Sequence, residues 1–161
     1  MQSAGYYDHS IWEESKGASD SALKKLINRE LEGTSVTAVL IGTRTYARRW
    51  VRYEIAKSIE RGNRVLGIHI NSVGGKDGLT KSFGPNPLDY MALWISTDGH
   101  LARFTEWSGS QWVWYDDLDG YTLAEEQPAE VRDKSRCLSS WYRTYDWIGD
   151  EGYKNFSTWI E

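Results

Sequence analysis

SVTAVLIGTRTYARRWVRYEIAKSIERGNRVLGIHI, running from Ser35 to Ile70, decides the fold class. Its first seven residues are rich in β-formers and turn apolar on both faces toward Ile41, as a strand buried in a parallel sheet should. Gly42-Thr43 ends that strand. The spacing then predicts a helix from about Thr45 to Arg61, with Val51, Ile55 and Ile59 four apart and Gly62 as its stop. Arg64 to Ile70 reads as a second buried strand. Strand, helix and strand in so short a span make a βαβ unit, whose crossover is right-handed almost without exception.

Working outward, Ser19 and Asp20 offer capping side chains ahead of a helix with Leu23, Leu26, Ile27 and Leu31 on one stripe, closed by Gly33. Beyond the βαβ unit, Asn71 to Asp89 holds six glycines and prolines and reads as a long loop. The second half changes character. Tyr90 to Ser96, Leu101 to Trp107 and Gln111 to Tyr115 are short aromatic runs separated by Asp98-Gly99 and Ser108-Gly109-Ser110, which predict antiparallel hairpins added to the sheet or packed beside it. Leu138 to Ile148 and Tyr153 to Ile160 carry aromatic residues at helical spacing, so one or two short helices are expected there.

The 161 residues fit one domain, with no repeat or linker to divide them. A net charge of -4 removes long-range attraction to nucleic acid or anionic lipid from the default expectations. The single cysteine, Cys137, cannot form an internal disulfide, and no leader or long apolar run is visible, so a cytoplasmic protein without a membrane anchor is expected. Trp 9, Tyr 10 and Phe 3 are an unusually aromatic set, and most carry a polar handle. Such rings suit cores beneath polar loops, or a site that stacks on a flat ligand.

Several chemistries lack support in the sequence. Gly74-Gly75-Lys76 lacks the first glycine of a phosphate-binding loop, and Asp77 stands where a hydroxyl should bind magnesium. His9, His69 and His100 have no metal-ligand spacing. Asp117, Asp119, Gly120 and Glu126 fall on calcium-loop positions, but Tyr115 replaces the first ligand and the preceding segment reads as strand. No metal is expected.

Trp50 and Glu54, four apart, share a helix face. Glu54 flanks the apolar stripe, which makes it either a partly desolvated carboxylate or a surface partner of Lys57 or Ser58. Arg44, Arg48, Arg49 and Arg52 crowd the start of the same helix, against its dipole. Either an anion such as a phosphate sits there, at the carboxyl edge of the sheet, or the arginines pair with Glu13, Glu14, Glu30 or Glu32.

Four stretches then carry a family resemblance: Gly5-Tyr-Tyr-Asp-His-Ser-Ile-Trp-Glu-Glu-Ser15, Leu31 to Gly42, Arg49-Trp-Val-Arg-Tyr-Glu54 and Ile59-Glu-Arg-Gly-Asn63. They resemble the ThsB-type TIR-like proteins of Thoeris antiphage defence systems, and the likeness continues through Gly84 to Tyr90, Tyr145-Asp-Trp147 and Gly152 to Phe156. The resemblance implies a single TIR-like domain over residues 1–161, with a flavodoxin-like parallel sheet, flanking helices, C-terminal β-hairpins and short helices. It implies an NAD+ glycohydrolase/cyclase that takes NAD+ as substrate, needs no further cofactor, releases nicotinamide and makes a cyclic ADP-ribose isomer. That diffusible product would reach a partner effector, and self-assembly into a homo-oligomer is in keeping with the family.

The family's Trp-x-x-x-Glu pattern falls on Trp50 to Glu54, which assigns Glu54 the catalytic role by resemblance. Tyr7, Asp8, Trp12, Thr43, Tyr46, Arg49 and Trp50 are the binding residues it implies. Family members carry a Phe-Phe-Ser-Phe-His strand and a helix before the Gly-Tyr-Tyr-Asp segment, whereas Met1 lies four residues before Gly5. The expectation is therefore an N-terminally shortened domain, the family's first strand missing and the strand Ser35–Ile41 left with an open edge. The alternative is a non-catalytic TIR-like protein-interaction or nucleotide-binding module.

Overall fold

The computed structural model describes residues 17–161. Ser19 opens the first helix, α1 (Asp20–Glu30), its hydroxyl accepting a hydrogen bond from the Ala22 N–H at 3.3 Å. That bond satisfies a donor the helix itself leaves unpaired. Strand β1 (Val36–Ile41) follows, then helix α2 (Arg49–Glu60) and strand β2 (Arg64–His69). β1 and β2 pair in parallel with Val36 opposite Arg64 and Ile41 opposite His69, so the βαβ unit is present.

Two details of that unit depart from the sequence reading. The helix does not begin at Thr45. The Thr45 hydroxyl accepts from the Gly42 N–H at 3.0 Å and donates to the Leu40 carbonyl at 3.3 Å, tying a 3-10 turn (Thr45–Ala47) to the end of β1. Arg48 is then extended (φ -85, ψ 115), and α2 starts only at Arg49, with no side-chain cap. Nor is β1 buried on both faces. Thr37, Val39 and Ile41 are buried, but Ala38 is exposed and Leu40 keeps 47% of its surface. The two-sided burial belongs to β2, where Val65 to His69 are all buried. β1 has β2 on one edge and no strand on the other among the described residues.

The aromatic second half forms a separate antiparallel sheet. β3 (Met91–Ile95) pairs with β4 (Leu101–Trp107), β4 with β5 (Trp112–Trp114) and with β6 (Tyr121–Thr122), and β3 on its other side with β7 (Ser135–Cys137). The hairpins therefore pack beside the parallel sheet rather than extending it.

Leu138 to Ile148 is not a helix. It holds a 3-10 turn (Leu138–Ser140) and a strand, β8 (Thr144–Asp146), which pairs in parallel with β2 and completes the order β1-β2-β8. Its aromatic spacing has another origin: Tyr145 stacks on Trp159 at 4.2 Å, and Trp147 meets Phe156 at 5.9 Å, both partners on the final helix, α3 (Gly152–Ile160). The regular spacing reflects packing between two elements and not one face of one helix.

One core joins the two sheets. Val39, Ile41 and Val65 of the parallel sheet, Ile55, Ala56 and Ile59 of α2, and Met91, Leu93, Ile95, Ala102 and Phe104 of the antiparallel sheet form one buried cluster. α1 lies on the outer side of α2, where Ile27 and Leu31 bury Tyr53. Among the described residues no helix is long and apolar enough to cross a membrane.

The loop after β2 is fastened over the end of β1. Thr43 donates its hydroxyl proton to the Ser82 carbonyl at 2.8 Å, and Gly84 approaches so closely that a Cβ there would lie 2.1 Å from the Gly42 carbonyl oxygen. Gly84→Ala is therefore expected to cost about 2 kcal/mol or more, seen as lower midpoints in thermal and urea unfolding. Unchanged midpoints would mean that the loop does not rest on the strand end.

Candidate functional site around Glu54 and the carboxyl edge of the parallel sheet

Because α2 is covered on most sides, each of its polar residues has a defined neighbourhood. Ser58 shares a 2.8 Å hydrogen bond with Thr37 of β1, and Lys57 pairs with Glu60. Both groups that could have made Glu54 an ordinary surface partner are thus otherwise engaged. Glu54 makes no hydrogen bond or ion pair with another described residue, and it sits on the arc between Trp50 and Tyr53 on one side and Val51 and Ser58 on the other. Its side chain keeps a partial opening to solvent. Desolvation by the surrounding protein still pushes its carboxyl up to about 7.

Trp50, one turn earlier, is half-buried against Ile27, Leu31 and Tyr53, meeting the Tyr53 ring edge-on at 6.0 Å. The Arg49 guanidinium covers the indole at 4.6 Å. Arg49 itself is neutralised: it donates to both Asp117 oxygens at 2.7 and 2.6 Å and lies 2.8 Å from Asp20. Lys24 adds a second cation 3.1 Å from Asp117. The Arg49 hydrogen bonds, partly opposed by burial, hold the Asp117 carboxyl below the usual carboxylate range.

The arginine cluster therefore divides, and among the described residues the partners of Arg49 and Arg52 are neither Glu30 nor Glu32. Arg52 pairs with Glu106 of β4 and donates to the Tyr46 carbonyl at 3.1 Å. Glu30 pairs with Arg29. Asp117 and Glu106 stand far along the chain, where helical spacing could not indicate them. Arg44 and Arg48 are exposed and form no ion pair with another described residue, beside the uncapped start of α2.

Thr43 and Tyr46 lie in the turn at the carboxyl end of β1, Thr43 holding the loop and Tyr46 leaning on Tyr90 at a ring distance of 4.9 Å. Tyr7, Asp8 and Trp12 lie outside the described residues, as do Glu13 and Glu14. The structure thus stacks Arg49 on Trp50 at the α1 side of α2 and places Glu54 one turn beyond Trp50. It places Tyr46 toward a different concavity.

That concavity was not singled out by the sequence. It has a volume of about 610 Å³ and is walled by the aromatic residues His69, Phe83, Tyr90, Trp107 and Trp112 together with Pro85, Asn86 and Asp89. His69 ends β2, so the cavity lies at the carboxyl edge of a parallel strand, where open α/β sheets place their ligands. That rule, applied to the last residue of the second strand, is the signal that could have found it. Glu54 does not line it.

Two comparisons bear on this arrangement. Residues 2–74 match the family described as "Thoeris protein ThsB, TIR-like domain". A protein of Bacillus cereus (strain MSX-D12) named "Putative cyclic ADP-D-ribose synthase ThsB1" is 52% identical over 160 residues, covering 99% of this chain and 83% of its own.

The Glu54 environment has a consequence for stability. Its carboxyl ionises near 4.5 in an unfolded chain and near 7 in the fold, so between those values the folded chain holds the extra proton. Stability from this group is complete below about pH 4.5 and is lost as pH rises through about 7. The unfolding free energy of the unaltered chain minus that of Glu54→Gln should fall by on the order of 2 kcal/mol from about pH 5 to about pH 8. Urea unfolding of both proteins across that range measures it; a flat difference would show that the carboxyl is not desolvated.

Proposed function

Because the chain belongs to the Thoeris ThsB family of TIR-like proteins, we propose that it is an NAD+-consuming cyclic ADP-ribose synthase of antiphage signalling, with Glu54 as its catalytic carboxylate. The observation that carries the assignment to Glu54 is its isolation: the family's Trp-x-x-x-Glu pattern lands on a carboxylate without a partner among the described residues, crowded enough to raise its pKa to about 7. Structural carboxylates in the same region, Asp117 and Glu106, are paired with arginine.

The reaction breaks the bond between the nicotinamide nitrogen and the ribose anomeric carbon. The electron pair leaves with nicotinamide, which departs neutral and needs no proton, and positive charge develops on the ribose. A carboxylate beside that ribose holds its hydroxyls and stabilises the developing charge, as in glycosidases. A nucleophilic atom of the same molecule then attacks the anomeric carbon, closing the ring with release of one proton. Water attacking instead gives the open ADP-ribose.

An empty site keeps Glu54 partly protonated near neutrality. The cationic nicotinamide ring of arriving NAD+ favours the ionised form, so binding itself prepares the carboxylate. Trp50 supplies a rigid wall that helps exclude water, favouring closure over hydrolysis. Arg44 and Arg48, with the uncapped N-terminus of α2, offer positive charge to the pyrophosphate. The diffusible product, and not a protein contact, connects the enzyme with its effector.

Glu54→Gln should reduce nicotinamide release by about a hundredfold or more, measured by chromatography after incubation with NAD+. In the unaltered protein kcat/KM should rise with pH along an acid limb near pH 7. Full turnover by the variant would remove Glu54 from catalysis and favour a role in partner or nucleotide binding alone.

A further inference from the structure

The cavity beside His69 has a composition that the proposed chemistry at Glu54 does not use. Its walls are aromatic on several sides: Phe83 stacks on the His69 ring at 4.1 Å, Trp107 and Trp112 meet edge-on at 5.8 Å, and Tyr90 rests against Tyr46. Into this surround comes one carboxylate, Asp89, whose side chain makes no hydrogen bond or ion pair with another described residue. Among the described residues, no lysine or arginine lines the cavity. Arg52 approaches the Trp107 carbonyl at 3.4 Å, but its charge is already matched by Glu106.

We propose that this cavity binds a small organic cation of delocalised or alkylated charge, held against the indole and phenol faces beside the Asp89 carboxylate. Aromatic faces are electron-rich and attract cations, most strongly those whose hydration shell is weak. A metal ion is a poor fit, since one carboxylate among rings cannot replace its bound water. An anion would face Asp89 with no basic side chain to offset it. A neutral ring would cover the carboxylate without compensating its charge.

His69 agrees with this assignment. It is 8% exposed, and its Nδ1 is buried without a hydrogen-bond partner among the described residues. Burial lowers its pKa, although Asp146 and Asp89 oppose the shift, so the ring stays neutral at ordinary pH and does not repel a cation. Pyridinium and guanidinium groups share the required chemistry, the first arising from nicotinamide nucleotides and the second from an arginine-bearing peptide. The inference stands on this cavity and does not require NAD+ consumption at Glu54.

The test titrates the full chain with three probes, following tryptophan fluorescence and heat: the N-methylnicotinamide cation, acetyl-arginine amide, and neutral nicotinamide. At least one cation should bind about tenfold or more tightly than nicotinamide. Asp89→Asn and, separately, Trp112→Ala should each weaken it by about tenfold while leaving the thermal midpoint in place, since both side chains are exposed. Binding of the pyridinium alone points to a nucleotide source, and of the guanidinium alone to a peptide. Absence of binding, equal affinity for nicotinamide, or indifference to both substitutions would each overturn the proposal. None of the probes carries a ribosyl bond, so a failure here is separate from any failure of catalysis.

Discussion

The burial of helix α2 is the constraint on which the rest of the molecule depends. It contacts α1 through Tyr53, the parallel sheet through Ile55 and the Ser58–Thr37 hydrogen bond, and the antiparallel sheet through the shared core and the Arg52–Glu106 pair. A helix so enclosed has few directions left for polar side chains, and each must be matched or bear the cost of desolvation. Ser58, Arg52 and Arg49 are matched. Glu54 has no partner among the described residues, so the same packing that stabilises the helix loads one carboxylate with a perturbed pKa.

Electrostatics join the two halves of the chain. Asp117 comes from the aromatic second half, yet it receives Arg49 of α2 and Lys24 of α1. Two cations on one partly buried carboxylate give a network whose geometry is more defined than that of an isolated surface pair. Its effect is local: it fixes the guanidinium that covers Trp50, and through it the surroundings of the turn that carries Glu54.

What could be read from sequence follows physical range. α1 was legible because its capping serine and closing glycine act within a few residues, and the βαβ unit because its apolar spacing is long and regular. The hairpins announced themselves through Asp98-Gly99, where Gly99 takes a φ of +77. β8 was hidden: three residues are too few to show a period, and the rings around it answer to α3. The exposed face of β1 was hidden too, since apolar residues on both sides of a strand do not tell which neighbours cover them. Glu54 stood out by its position beside the stripe and by family resemblance. The partners of Arg49 and Arg52 did not, because pairs 68 and 54 residues apart leave no local trace, and the same is true of the aromatic cavity, assembled from β2, the long loop and two strands of the other sheet.

The strand order β1-β2-β8 also bears on how the chain acquires its structure. β2 waits for β8 while the whole antiparallel sheet is made between them, so the second edge of the central strand stays open until Thr144 to Asp146 have been synthesised. Such non-local pairing slows folding and prolongs the exposure of a sticky strand whose middle, Val65 to Ile68, is apolar. A nascent chain of this design is most vulnerable to misassociation between the synthesis of β2 and that of β8, and cells producing it gain most from chaperones that act in that interval.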